Sequence, residues 1–161
     1  MALDAYMTLK GAKQGVIKGS VTIAGRENSI AVHSFSQEID SPRDSASGLP
    51  SGKRTHQPLV VVKDVDQSSP HLWQAFVTNE TLSSCQLQFW ETATDKTSGE
   101  TQFFTIILTN ASIASVHASM ADNENPANAN LAVREEISLV YQKIEWLWTD
   151  GNVSAQDDWT G

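Results

Sequence analysis

The chain has 161 residues, 40% of them hydrophobic and 19% charged, which is the size of one domain with enough apolar material for a core. Its 11 basic and 19 acidic side chains leave a net charge of −8, the wrong sign for a nucleic-acid or anionic-membrane footprint. A single cysteine, Cys85, excludes an internal disulfide and a cysteine-built zinc site, and no apolar run approaches the roughly 20 residues that span a bilayer. The opening Met1-Ala-Leu-Asp-Ala-Tyr6 has neither a basic n-region nor an apolar h-region, so the expectation is cytoplasmic synthesis without a cleaved signal peptide.

In chain order, Leu3, Ala5, Met7 and Leu9 alternate with Asp4, Thr8 and Lys10, with Tyr6 as the exception, and predict a first strand. Ile30, Val32, Phe35 and Ile39 predict a second, interleaved with Ser34, Ser36 and Glu38. Residues 40–55, rich in Ser, Gly and Pro, form a loop too long for a plain connection. The β-branched run from Pro58 to Lys63 reads as a strand covered on both faces. Ser69 as cap, Pro70 at the first turn, and Leu72, Ala75, Phe76 and Asn79 at helical spacing predict one helix, whose apolar stripe serves core packing. Leu82–Glu91 and Thr101–Thr109 flank Asp95-Lys-Thr-Ser-Gly99 as a hairpin. Ser112–Ala118 alternates again, and Met120–Asn130 is a second, Asn/Ala-rich loop. Val133–Thr149 is the longest continuous strand candidate, ended by Asp150-Gly151. One domain over 1–161 is expected, mainly β, with a loosely ordered tail over 150–161.

The catalytic inventory is nearly empty. Gly48-Leu-Pro-Ser-Gly52-Lys53-Arg54 is one residue too short for a phosphate loop, and Arg54 stands where a Ser or Thr must hold magnesium. Asp64-Val-Asp66-Gln-Ser68 begins like a calcium loop, but Ser69 replaces the turn glycine and Ala75 the bidentate glutamate. His33, His56, His71 and His117 contain no locally spaced pair, so no metal ligand set and no cofactor is expected. Cys85 alternates with Leu87 and Phe89 and reads as a buried thiol. Glu135 and Glu136 must point to opposite faces of a strand and cannot converge on one bond. Trp146 and Trp148 share one side of the last long strand, which reads as a buried stripe or as a sugar-stacking platform.

Four segments carry a resemblance. They are Ser51-Gly-Lys-Arg-Thr-His56-Gln-Pro58 running into Leu59–Lys63; Asp66-Gln-Ser-Ser-Pro70-His-Leu-Trp73-Gln-Ala75; Phe103 to Val116; and Glu136 to Trp146 with Asp150-Gly-Asn152. In order and spacing they resemble the haemolysin-coregulated protein (Hcp) family, the tube protein of type VI secretion. The likeness is to the branch with Gly-Lys/Thr-Arg-x-His-x-Pro before the strand. The Trp-Ser-Trp-Gly stretch of another branch is absent, with His33-Ser-Phe35-Ser in that region, so that branch's inner-surface ligands do not transfer.

The resemblance implies a small β-barrel of two packed antiparallel sheets with one flanking helix. It also implies a homo-hexameric ring, rings stacked into a hollow tube inside a contractile sheath, a spike at the tip, effectors in the lumen, and release to the medium or a target cell. On this reading Arg43, Lys53, Arg54 and His56 belong to subunit and ring-stacking contacts. Ser34, Ser36, Ser112 and Ser115 are candidates for a wet lumenal wall. No enzyme activity is expected. The rival reading is a secreted carbohydrate-binding β-sandwich using Trp146, Trp148 or Trp159; a small hydrolase is a distant third.

Overall fold

The computed structural model describes residues 3–92, 99–149 and 151–158. Its strands are β1 (Leu3–Gly11), β2 (Gly15–Ile17), β3 (Ile30–Val32), β4 (Ser34–Ser36), β5 (Ile39–Asp40), β6 (Thr55–His56) and β7 (Leu59–Asp64), followed by helix α1 (Ser69–Val77). Then come β8 (Leu82–Thr92), β9 (Glu100–Ser119), β10 (Arg134–Val140), β11 (Lys143–Trp148) and β12 (Val153–Asp158). The expected mainly β class holds. Ten strands join one antiparallel sheet along the path β2-β1-β8-β9-β10-β7-β4, with β3 on β1 and β11 and β12 added beside β9, while β5 and β6 pair alone.

The expected barrel is not a closed ladder. β3 pairs with β1 through Ala5 opposite Val32, whereas the next three residues, β4, pair with β7 through Ser34 opposite Val62. His33 spans the seam and donates its backbone N–H to the Val62 carbonyl at 2.7 Å. The two halves of the sheet thus face one another across a core of Met7, Leu9, Ile30, Leu59, Val61, Leu87, Ile106, Ile137, Leu139 and Ile144, all buried. Helix α1 seals it with Leu72 and Ala75.

Thr101–Thr109 and Ser112–Ala118, read separately in the sequence, are one strand. β9 changes partners midway: its first half pairs with β8 and β11, its second with β10. Asn110 makes the corner at φ 51°, a left-handed conformation that asparagine tolerates and β-branched residues do not. The candidate strand Val133–Thr149 breaks opposite this corner, at Tyr141–Gln142. Gln142 donates its N–H to the Thr109 carbonyl at 3.2 Å, and Asn110 donates through Nδ2 to Gln142 Oε1 at 2.9 Å. Asn110→Val should therefore cost about 1–2 kcal/mol in urea unfolding, while Asn110→Gly stays close to wild type.

Three further expectations change. β7 is not covered on both faces: Leu59, Val61 and Lys63 are buried and Val60, Val62 and Asp64 only half-buried. Ser68, not Ser69, is the helix cap, without a side-chain cap bond, because the Ser69 hydroxyl is committed to a buried ion pair. The tail is not loose over Val153–Asp158, which pairs along the whole of β11 from Trp148 opposite Val153 to Lys143 opposite Asp158. Residues 95–98 of the expected hairpin turn, Asp150 and Trp159 lie outside the described residues.

Candidate functional site

Two surfaces carry the residues singled out from the sequence. The first is the outer face of the half-sheet β4-β7-β10-β9. Strand register sets Ser36, Val60, Ser138 and Ser115 in one row across four strands, and Ser34, Val62, Glu136 and His117 in the next. Ser112 continues the same face opposite Val140. Period-two alternation puts the intervening Val61, Ile137 and Leu139 into the core. All four serines named from the sequence thus share one face; Ser34, Ser36 and Ser115 are exposed and Ser112 half-buried. Its side chains are small, hydroxylated or short aliphatic, with one acid and one imidazole in the second row. Glu135, next to Glu136, faces the other way and is buried.

The second surface is an arm. Residues 40–55 are exposed throughout, yet ordered by their own bonds. Arg43 and Pro50 form a backbone bridge. At the tip Asp44 accepts from the Ser47 N–H at 3.0 Å and its hydroxyl at 2.7 Å, bonds that hold the carboxyl below the usual range. Gly48 closes the turn at φ 74°. Arg43 and Lys53 are exposed on this arm.

Arg54 and His56 have a different place. The Arg54 guanidinium makes a bidentate contact with Asp157, 2.6 Å from Nε to Oδ2 and 2.5 Å from Nη2 to Oδ1. His56 is 7% exposed, with Nε2 2.7 Å from Asp157 Oδ2 and Nδ1 2.8 Å from the Tyr141 hydroxyl. The Gln37 side chain reaches the same hydroxyl and accepts from Trp146 Nε1 at 3.1 Å. The root of the arm is thus bonded to β11, to the β10–β11 corner and to the terminal strand. The Arg54 guanidinium, then His56, hold the Asp157 carboxyl below the ordinary aspartate range, and burial pushes the Tyr141 phenol up. Sequence motif alone drew attention to Arg54 and His56; Asp157 and Tyr141, about a hundred positions away, carried no signal of their own.

No group of three or more His, Cys, Asp or Glu side chains among the described residues is placed to hold a metal ion. Asp64, from the calcium-loop decoy, lies 2.9 Å from His33 Nε2 and 3.5 Å from Arg134 Nε. Cys85 is buried and its thiol pushed up to about 12, far from a nucleophile's range. Trp146 is half-buried against the core, whereas Trp148, 45% exposed, packs edge-on against Phe103 at 5.8 Å, so the two do not offer a pair of open rings.

Residues 6–148 match the family model described as type VI secretion system effector, Hcp. The chain is 33% identical to the "Major exported protein" of Pseudomonas aeruginosa, over 99% of this chain and 96% of that one. Among solved structures, a variant of Hcp1 from the E. coli EAEC 042 pathovar superposes with TM-score 0.84 at 32% identity, covering 98% of this chain and 99% of that one. The secreted protein Hcp3 from Pseudomonas aeruginosa gives 0.79 at 26% identity, covering 98% and 99%.

Proposed function

The chain belongs to the Hcp family of type VI secretion, and from that premise we propose that it is the structural subunit of a secretion tube, closing into hexameric rings that stack head to tail. The observation that carries this reading is the polar face of β4-β7-β10-β9. A wall of Ser34, Ser36, Ser112, Ser115 and Ser138, with Val60, Val62, Val140, Glu136 and His117 among them, lets cargo slide past, where a fully apolar wall would hold it. The open backbone edges support ring closure: β2, β4 and β12 are each paired on one side only among the described residues, and lateral contacts between copies cover such edges.

The arm supplies the contacts between subunits and rings through Arg43 and Lys53, with Arg54 and His56 fixing its root. Spike, sheath and lumenal effectors are the partners, and the ring leaves the producing cell with its cargo. The work is mechanical; no side chain performs chemistry.

Sedimentation of the purified protein should give one particle near six protomers, annular in negative stain. A monomer at high concentration overturns the reading. Ser115→Trp should leave the ring intact and sharply reduce co-purification of an effector, measured by pull-down from cells making both; unchanged recovery removes Ser115 from the lumen.

A further inference from the structure

We propose that residues 19–29 form a strap latched by one side chain, Arg26, and that the strap opens as a unit to uncover a guanidinium cage of Tyr6, Trp90 and Glu100. Tyr6 is the one break in the alternation of the first strand, and the cage gives it a use. Tyr6 lies diagonal to Trp90 across the β1–β8 pairing, and Trp90 lies diagonal to Glu100 across β8–β9, separations that aromatic and long side chains bridge. The β8–β9 register shifts between Phe89 and Trp90, a bulge of the kind that re-aims a side chain. The Arg26 guanidinium sits 4.2 Å from the centroid of the Trp90 ring and 5.0 Å from that of Tyr6, with Nη1 2.5 Å from Glu100 Oε2. Its side chain is only 8% exposed. Two ring faces and a carboxylate complement a planar cation.

Arg26 alone ties the tip of the strap to the sheet. Every residue from 22 to 28 is exposed except Arg26. Among the described residues the other hydrogen bonds of this tip stay inside the strap, as from the Arg26 N–H to the Ile23 carbonyl and from the Asn28 N–H to the Val21 carbonyl, both at 2.9 Å. The base is fixed instead. Gln67 donates through Nε2 to the Gly19 carbonyl and through its N–H to Ser20 Oγ at 3.3 Å. A Cβ at Gly19 would stand 2.2 Å from the Ser29 carbonyl oxygen, so the two legs approach this closely only with glycine there. The latch is also incompletely bonded. Arg26 Nε and Trp90 Nε1 are buried donors without an acceptor among the described residues, a desolvation cost that the closed strap carries and the open one does not. A fixed base, a tip held at one point and two unmet donors define a segment that opens locally while the core stays closed. The chain then returns its own arginine to the cage at high effective concentration.

The test is fluorine NMR of the full chain labelled with fluorotryptophan, with the Trp90 line assigned by its loss in Trp90→Phe. In Arg26→Ala the Trp90 line should move and become sensitive to exchange of light for heavy water, while the Trp146 line stays in place. Amides of Arg26, Asn28 and Ser29 should exchange at least about tenfold faster, because a short hairpin without packing is marginal in water. Amides of Ile106 and Ile137 should keep their rates. Methylguanidinium added to Arg26→Ala should draw the Trp90 line back toward its wild-type position, and methylammonium, a compact and strongly hydrated ion, should not. Arg26→Lys keeps the charge beside Glu100 and loses the planar stack; it should show the same local changes at smaller amplitude, and it decides the outcome if alanine unfolds the chain. An unmoved Trp90 line with strap amides still protected overturns the latch. Faster exchange at Ile106 and Ile137 in step with the strap in both variants overturns opening as a unit. Equal effects of the two added cations, or none from either, overturn the cage as a guanidinium site. None of these outcomes depends on ring closure, so each leaves the tube reading standing.

Discussion

Lys63→Met alone should destabilise the protein by about 3–5 kcal/mol, because it leaves the Glu135 carboxylate buried without its cation. Lys63 is fully buried and Glu135 is 1% exposed. Lys63 Nζ lies 2.5 Å from Glu135 Oε1, 3.1 Å from Ser69 Oγ and 3.2 Å from Asp66 Oδ1, and the Ser69 hydroxyl also donates to Glu135 Oε1 at 2.5 Å. Glu135 Oε2 has no hydrogen-bond partner, so the site is already short of one bond and has nothing in reserve when the lysine goes. Glu135→Leu should cost a similar amount, because the buried ammonium loses its 2.5 Å carboxylate contact and keeps only the Ser69 hydroxyl at 3.1 Å and Asp66 Oδ1 at 3.2 Å. The double change Lys63→Met/Glu135→Leu should recover most of the loss, since an apolar pair of similar volume needs no desolvation. Urea unfolding of the three variants checks this. For a chain of this size the single variants should melt at least about 6 °C below wild type, at about 2–4 °C per kcal/mol. Single variants within 1 kcal/mol of wild type would show that the pair is more hydrated than its burial indicates.

That pair also marks where sequence reading ended. The run Leu59-Val-Val-Val-Lys63 announces a strand, but read as covered on both faces it did not say that Lys63 shares the inward face with Leu59 and Val61. Nothing local says that the required carboxylate is Glu135, because its partner register comes from β10 lying on β7. Adjacent Glu135 and Glu136 were legible as pointing apart, but not which of them goes inward. Of the four serines proposed for the lumen, Ser34 and Ser36 alternate in the sequence, whereas Ser112 and Ser115, three apart, share that face only because the β9–β10 register shifts between Ser138 and Leu139. β12 escaped because Val153-Ser-Ala-Gln-Asp-Asp158 is exposed at all but Asp157; its bonds are to the β11 backbone, which composition does not encode. β9 was split in two because the segments read from the sequence end at Thr109 and resume at Ser112, whereas Asn110, at φ 51°, bends the strand without ending it.

The terminal strand gives the second large effect. Asp157→Ala removes the carboxylate shared by Arg54 and His56 at once, takes from the buried His56 ring its 2.7 Å contact, and should cost about 2–3 kcal/mol, the range for a lost hydrogen bond to a charged group. Its clearest readout is local. Amides of Ile39 and His56, paired across β5 and β6, should lose hydrogen-exchange protection while those of Ile106 and Ile137 in the core keep theirs. The pH dependence has a definite sign. Arg54 first, and His56 after it, hold the Asp157 carboxyl below its ordinary value near 3.8, so folding favours the ionised form. The contribution is therefore complete above pH of about 4 and is lost as pH falls through the depressed native value. Acidification should loosen the arm root before the core, and Asp157→Asn should remove that acid sensitivity while keeping an oxygen acceptor for His56. Equal protection of the β5–β6 amides in wild type and Asp157→Ala would mean that the arm is held by its own turn and strand bonds alone. Arg54 would then be one more surface cation, available with Arg43 and Lys53 to a neighbouring subunit.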